Sequence, residues 1–273
     1  MKTVWTGIVV LVSCAIPGCK HVPIHQSARI KTEVVAKPNP VSVIHVIVAL
    51  CDNKYQGIVP VPSRIGNGDD LIDNLYWGAD YGVKSYFRRS KDWKLIQDIK
   101  NLNPIILERI VFQQKETGVL MVADAYRGRE IRTATQDFAN YAAGIAPTNL
   151  QISGKTYQVG GGADMIAYVG HDGLMNFNLP NPVKQQDTKT RRVAILCCKS
   201  QQFFKPIIRD SGAKPLLITK SLMAPEAYVL EAAAQSFIRK ENIAQAAERA
   251  SKAYAKYQKI SLSAARTVFA AGD

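Results

Sequence analysis

DMIAYVGHDGLM at residues 164–175 and RRVAILCCKS at residues 191–200 decide the fold. Each contains a short apolar run, MIAYV or VAIL, of a length and composition that suit a buried strand better than a helix. Each run stops at a residue able to do chemistry: His171, with Gly173 two positions on, and then Cys197 and Cys198. If both runs are parallel strands of one sheet, an imidazole and a thiol emerge together at its C-terminal edge, where open α/β sheets place their sites.

Working outward, VSVIHVIVAL at 41–50 is too continuously apolar for a one-sided strand and predicts a central parallel one, ending at Cys51, Asp52 and Asn53. His45, mid-strand, reads as a core histidine satisfied by one hydrogen bond. GIVPVPSRIGNGDD at 57–70 is a loop shaped by proline and glycine that could rim a site. The pattern from Asp69 to Ser90 predicts the first crossover helix, with acids at its start and arginines at its end. WKLI (93–96) and ILERIVFQ (106–113) predict a hairpin excursion, with a helix over the second left open. GVLMVADAYRG (118–128) predicts another buried strand, and REIRTATQDFANYAAG (129–144) a helix closed by Gly144.

NLQISGKTYQV (149–159) predicts a second hairpin, leading into GGGAD at 160–164. Those glycines precede a strand, whereas a phosphate loop follows one and opens a helix, so nucleotide binding is not expected. After Cys198 come a mixed segment, a strand over KPLLIT (214–219), and two Ala-rich helices, APEAYVLEAAAQSFIRK and NIAQAAERASKAYAKYQ, with Pro225 placed in the first turn of the earlier one. Strand alternating with helix predicts a mostly parallel α/β sheet with small hairpin excursions and a C-terminal helical layer, in one domain over residues 41–273.

At 273 residues with 47% hydrophobic and 21% charged composition, the chain is long and apolar enough to bury a globular core. MKTVWTGIVVLVSCAIPGCK opens it with one early lysine and an apolar run too short for a membrane span, which predicts an export signal over residues 1–19. LVSC and IPGC both resemble the lipobox of bacterial lipoproteins, which implies lipidation at Cys19 or, as the alternative, Cys14. A polar tether over residues 20–40 follows, and its His21 and His25 lack the fixed geometry that general-base work needs. The expected location is therefore the periplasmic side of the envelope, held to the membrane by a lipid anchor.

Three cysteines remain after such a signal, too few for a disulfide framework, and neither a CxxC pair nor a histidine cluster suggests zinc. No cofactor is expected. A bridge from Cys51 to one of the later pair is the alternative to three free thiols. The net charge of +13 is concentrated late, sixteen Lys and Arg against seven Asp and Glu from Lys184 to Asp273, a surplus of nine. Without aromatic interleaving that surplus predicts a solvated basic face near an anionic membrane rather than a nucleic-acid partner.

A thiol attacks a carbonyl as its thiolate and needs an imidazole or positive surroundings to do so near neutral pH. By elimination His171 is the imidazole. Strand alternation lets only one of the two cysteines meet it, and Cys198, just past the strand, has the freer exit. MIAYVGHDG and VAILCCKS resemble the caspase, gingipain, legumain and clostripain group of cysteine peptidases, whose motifs are an apolar strand ending in histidine and glycine and another ending in a small residue and the nucleophile. The resemblance covers the chain from about Val41 to Thr219. It implies a caspase-like sandwich, a peptide or protein substrate, His171 as base, Cys198 as nucleophile, and an oxyanion held by the backbone of Gly173 and Cys198. The chain departs from that group at Asp172, inserted before the glycine, and at Cys197, where alanine is usual. Asp52 and Asp124, each expected directly after a strand, are the pocket candidates, against a reading as caps. The competing function is an envelope lipoprotein without catalysis that binds a partner or anionic surface through its basic helices.

Overall fold

The computed structural model describes residues 41–272. The signal segment, the tether and the cysteines at 14 and 19 lie outside the described residues. Among these the chain forms a seven-stranded sheet and a separate two-stranded one. Four strands form one side of the main sheet: β1 (Val43–Ala49), β7 (Met165–Val169), β8 (Arg192–Leu196) and β9 (Lys214–Leu217). They run parallel to one another and to β4 (Leu120–Tyr126), which pairs with the other side of β1. The hairpin of β2 (Trp93–Lys100) and β3 (Ile106–Gln114) is antiparallel. It does not stand apart as an excursion, because β3 pairs with β4 and extends the main sheet to the order β2-β3-β4-β1-β7-β8-β9. The second hairpin, β5 (Pro147–Ile152) and β6 (Lys155–Gly160), does form its own small sheet.

Helices cover both faces, which explains why β1, β4 and β7 are buried at every position. One face is packed by α1 (Val83–Arg89), α5 (Ala227–Ile238) and α6 (Ile243–Gln258), through residues such as Phe87, Leu230 and Ala250. The other is packed by α2 (Ile131–Ala142) and by α4 (Lys205–Ser211), which follows the short α3 (Ser200–Phe203). A last turn, α7 (Leu262–Arg266), joins the first face through buried Ala265. The alanines of α5 and α6 let these helices lie close to each other and to the sheet.

Two local expectations are corrected. The predicted helix from Asp69 is realised only as α1; residues 69–82 are successive turns, because Asn74 takes the Cys51 amide on Oδ1 (3.1 Å) and gives Nδ2 to the Cys51 and Asn67 carbonyls (2.8 Å each). A side chain that competes for backbone groups in this way favours turns over helix. Pro225 lies outside α5, two residues before its first residue Ala227 and next to its N-cap Glu226.

The three glycines have a steric purpose. A Cβ on Gly161 would lie 2.2 Å from the Ile145 carbonyl oxygen, a backbone atom that cannot step aside. Gly161→Ala is therefore expected to cost about 1–3 kcal/mol, read as a lower urea midpoint. A variant as stable as the parent would show that this crossing has room.

Within the core lies a charged network that uses both ring nitrogens of His45. Its Nδ1 accepts the Gly160 amide (2.7 Å), so Nε2 carries the proton and donates it to Asp124 Oδ2 (3.0 Å). Arg109 closes the other side of Asp124 with two bonds, from Nε (2.6 Å) and a terminal nitrogen (2.7 Å), and Tyr141 stacks on the imidazole. The core reading of His45 holds, with two partners rather than one.

Candidate active site

In the β7–β8 ladder Val169 is opposite Leu196. His171 and Cys198 each lie two residues beyond that pair, past the ends of adjacent parallel strands that run about 4.8 Å apart. Alternation separates the faces. Met165, Ala167, Val169, Ala194 and Leu196 point to the α5 and α6 face, and His171 and Cys198 share their parity. Ile166, Tyr168, Val193, Ile195 and Cys197 point to the α2 face. Asp172 shares that second parity and is buried.

The turn after β8 is fixed by residues whose role the sequence did not disclose. Ser200 is fully buried; its hydroxyl donates to the Ile195 carbonyl (2.9 Å) and accepts the Thr219 amide (2.9 Å). Thr219 in turn accepts the Ser200 amide (3.0 Å) and donates to the Cys197 carbonyl. Lys199 takes a left-handed conformation, φ 50°, that lets the chain leave the strand and enter α3 at once. Cys198 is thereby held half-buried, its thiol directed at the Met223 carbonyl 3.7 Å away.

His171 is half-buried as well. Its carbonyl accepts the Tyr168 hydroxyl (2.9 Å), and its ring Nε2 meets Asn176 Oδ1 at 2.9 Å. That bond places the proton on Nε2 and leaves Nδ1 as a free acceptor, the form a general base requires. Asn176 closes the 3-10 turn Gly173–Met175, five residues beyond the histidine, and no motif pointed to it. Among the described residues no hydrogen bond joins His171 to Cys198 directly: each is held by its own partner at the same sheet edge.

The remaining candidates divide. Gly173 is buried beneath Phe177, where a Cβ would lie 2.4 Å from the ring. With Asn176, Gly57, Gln56, Arg129 and Arg132 it lines a cavity of about 220 Å³ beside the histidine. Asp124 is not at a strand end. It lies inside β4, fully buried between His45 and Arg109, and is no pocket residue. Asp52 does follow β1, but its Oδ1 accepts the Lys54 (2.8 Å) and Tyr55 (3.2 Å) amides, so it caps the turn and shapes the rim instead of facing a substrate. Asp69 is tied to Arg127 (2.5 Å) and Arg129 (2.9 Å).

The cysteines differ sharply in environment. Burial pushes the Cys197 thiol well up, and burial likewise raises Cys51 to about 11, a rise that the Tyr76 hydroxyl opposes. Both are poor nucleophiles. All three thiols are free, so the Cys51 bridge considered from sequence is not formed. Among the described residues no cluster of three or more His, Cys, Asp or Glu could hold a metal ion, and no helix is long and apolar enough to cross a membrane.

No family model, curated protein or solved structure matches this chain.

Proposed function

We propose that the chain is a cysteine-dependent hydrolase of caspase-like architecture that cleaves peptide bonds. The observation that supports it is that His171 and Cys198 each follow by two residues the facing pair Val169 and Leu196, which ends two neighbouring parallel strands. A further support is strand order: the imidazole follows the strand next to β1, and the thiol follows the strand after that, the succession in which the two motifs occur in the group the sequence resembles. In this reading Nδ1 of His171 takes the Cys198 proton, the thiolate attacks the carbonyl carbon, and backbone amides near Gly173 and Cys198 hold the oxyanion. The leaving amine takes the proton from His171, and water then releases the acyl group from sulfur. Asn176 acts as a positioning residue that fixes the imidazole tautomer.

Iodoacetamide at neutral pH, with the alkylated residue mapped by mass spectrometry, tests this. Cys198 is expected to label faster than a free thiol, while Cys51 and Cys197 stay unlabelled in the folded protein and serve as internal controls. His171→Ala is expected to slow Cys198 labelling by about tenfold or more, and Asn176→Ala by a smaller factor. Labelling of Cys198 at the rate of a free thiol, unchanged by His171→Ala, would sink the reading.

A further inference from the structure

A cavity of about 810 Å³ lies away from the site, between α4 and the edge strand β9. Its size falls in the range of small-ligand sites. Four cationic side chains surround it: Lys205 and Arg209 from α4, Lys214 and Lys220 from β9 and the residues after it. Ile208, Pro215 and Ile218 contribute apolar side chains to its lining. No carboxylate lines it.

Several cations elsewhere have acidic partners. Arg249 meets Glu241, Lys252 and Arg266 meet Glu248, Arg191 meets Asp187, and Lys84 and Lys100 meet the buried Glu108. Around the groove only Arg209 has an acidic partner, its neighbour Asp210 (2.7 Å); Lys205, Lys214 and Lys220 have none among the described residues. Converging cations without a counter-charge attract a multiply charged anion.

The edge of β9 offers little ladder to an added peptide strand. Pro215 lacks an N–H, and the chain's own C-terminal segment covers the residues just past the strand, with Lys220 N bonded to the Val268 carbonyl (2.8 Å) and Ala270 N to the Ile218 carbonyl (3.0 Å). No aromatic side chain lines the groove to stack a base, which disfavours a nucleotide or nucleic acid.

We infer that the α4–β9 groove binds an amphipathic organic phosphate, with the headgroup among Lys205, Lys214 and Lys220 and the apolar portion over Ile208, Pro215 and Ile218. Lysine ammonium groups suit a phosphate as point charges, and three of them suit its two negative charges better than a single carboxylate. This site is independent of His171 and Cys198.

Calorimetric titration of the full chain with octyl phosphate and with inorganic phosphate tests the assignment. Octyl phosphate is expected to bind at least about tenfold more tightly than inorganic phosphate, and Ile208→Ser is expected to erase that advantage. The triple variant Lys205→Gln, Lys214→Gln, Lys220→Gln is expected to weaken octyl phosphate by about tenfold or more, whereas Lys155→Gln, Lys240→Gln, Lys256→Gln, of equal net charge, leaves it unchanged. Equal affinity for the two phosphates, or equal weakening by both triple variants, overturns the assignment. Sedimentation with phosphatidylcholine vesicles containing or lacking phosphatidic acid identifies the source. Capture that needs phosphatidic acid and the three groove lysines points to a lipid headgroup, and tight octyl phosphate binding without capture points to a free ligand.

Discussion

Asp124→Ala loses about 3–5 kcal/mol of folding stability, seen as a lowered urea midpoint. The carboxylate is fully buried and holds Arg109 by two bonds and His45 by one, so its removal strands a guanidinium and an imidazole inside the sheet. Burial by itself raises the carboxyl pKa, but the Arg109 bonds and the neighbouring His45 outweigh it and bring Asp124 down to about 2. A folded-state value below the unfolded one near 3.9 stabilises the fold above that pH. The contribution therefore declines as pH falls from about 4 through about 2. A steeper loss of stability in the parent than in the Asp124→Ala variant over that interval, so that the difference between them shrinks toward pH 2, is the signature. A variant with the parent's urea midpoint would show that the network contributes nothing net.

Asp172→Asn acts in the opposite direction. One oxygen of Asp172 accepts the Leu174 amide (3.0 Å), and the other is buried without a partner. Burial raises the carboxyl to about 7, against the lowering effect of the Leu174 and Met175 amides. Because the folded value lies above the unfolded one, the parent keeps this group protonated in acid and loses stability as pH rises from about 4 through about 7. The displacement from 3.8 to about 7 corresponds to a penalty of up to roughly 4 kcal/mol by pH 8. Asparagine keeps an acceptor for Leu174 and cannot ionise. It is expected to match the parent near pH 4.5 and to exceed it by about 1–3 kcal/mol at pH 8, measured by urea unfolding at both values. An equal difference at the two pH values would refute the ionisation.

The alternation of apolar runs with helical patterns was enough to place the strands, because buried parallel strands must be apolar on both faces and announce themselves. The position of His171 and Cys198 at one sheet edge was legible for the same reason: each follows such a run by a fixed offset. What escaped were groups whose role depends on distant chain. Asn176 is ordinary in sequence and matters because a 3-10 turn folds it back onto His171; Ser200 matters because Thr219, nineteen residues on, returns beside it. Asp124 was misplaced because VADAY looks like a strand that stops at its acid, and only Arg109 on the hairpin, fifteen residues earlier, makes a buried carboxylate tolerable there. The helix from Asp69 failed since its pattern could not reveal that Asn74 would hold Cys51.

In sequence the doubled cysteine suggests a thiol that an oxidant could link to its neighbour and so silence. The sheet assigns the two to different chemical surroundings: Cys197 is packed with Ile195 and Phe204 on the α2 face, and Cys198 opens toward Met223 on the other side. An oxidant arriving at the sheet edge therefore meets a solitary thiol, and the bond that would link the neighbours can form only if the end of β8 comes apart. Loss of the fold, rather than exposure to air, is what would pair them.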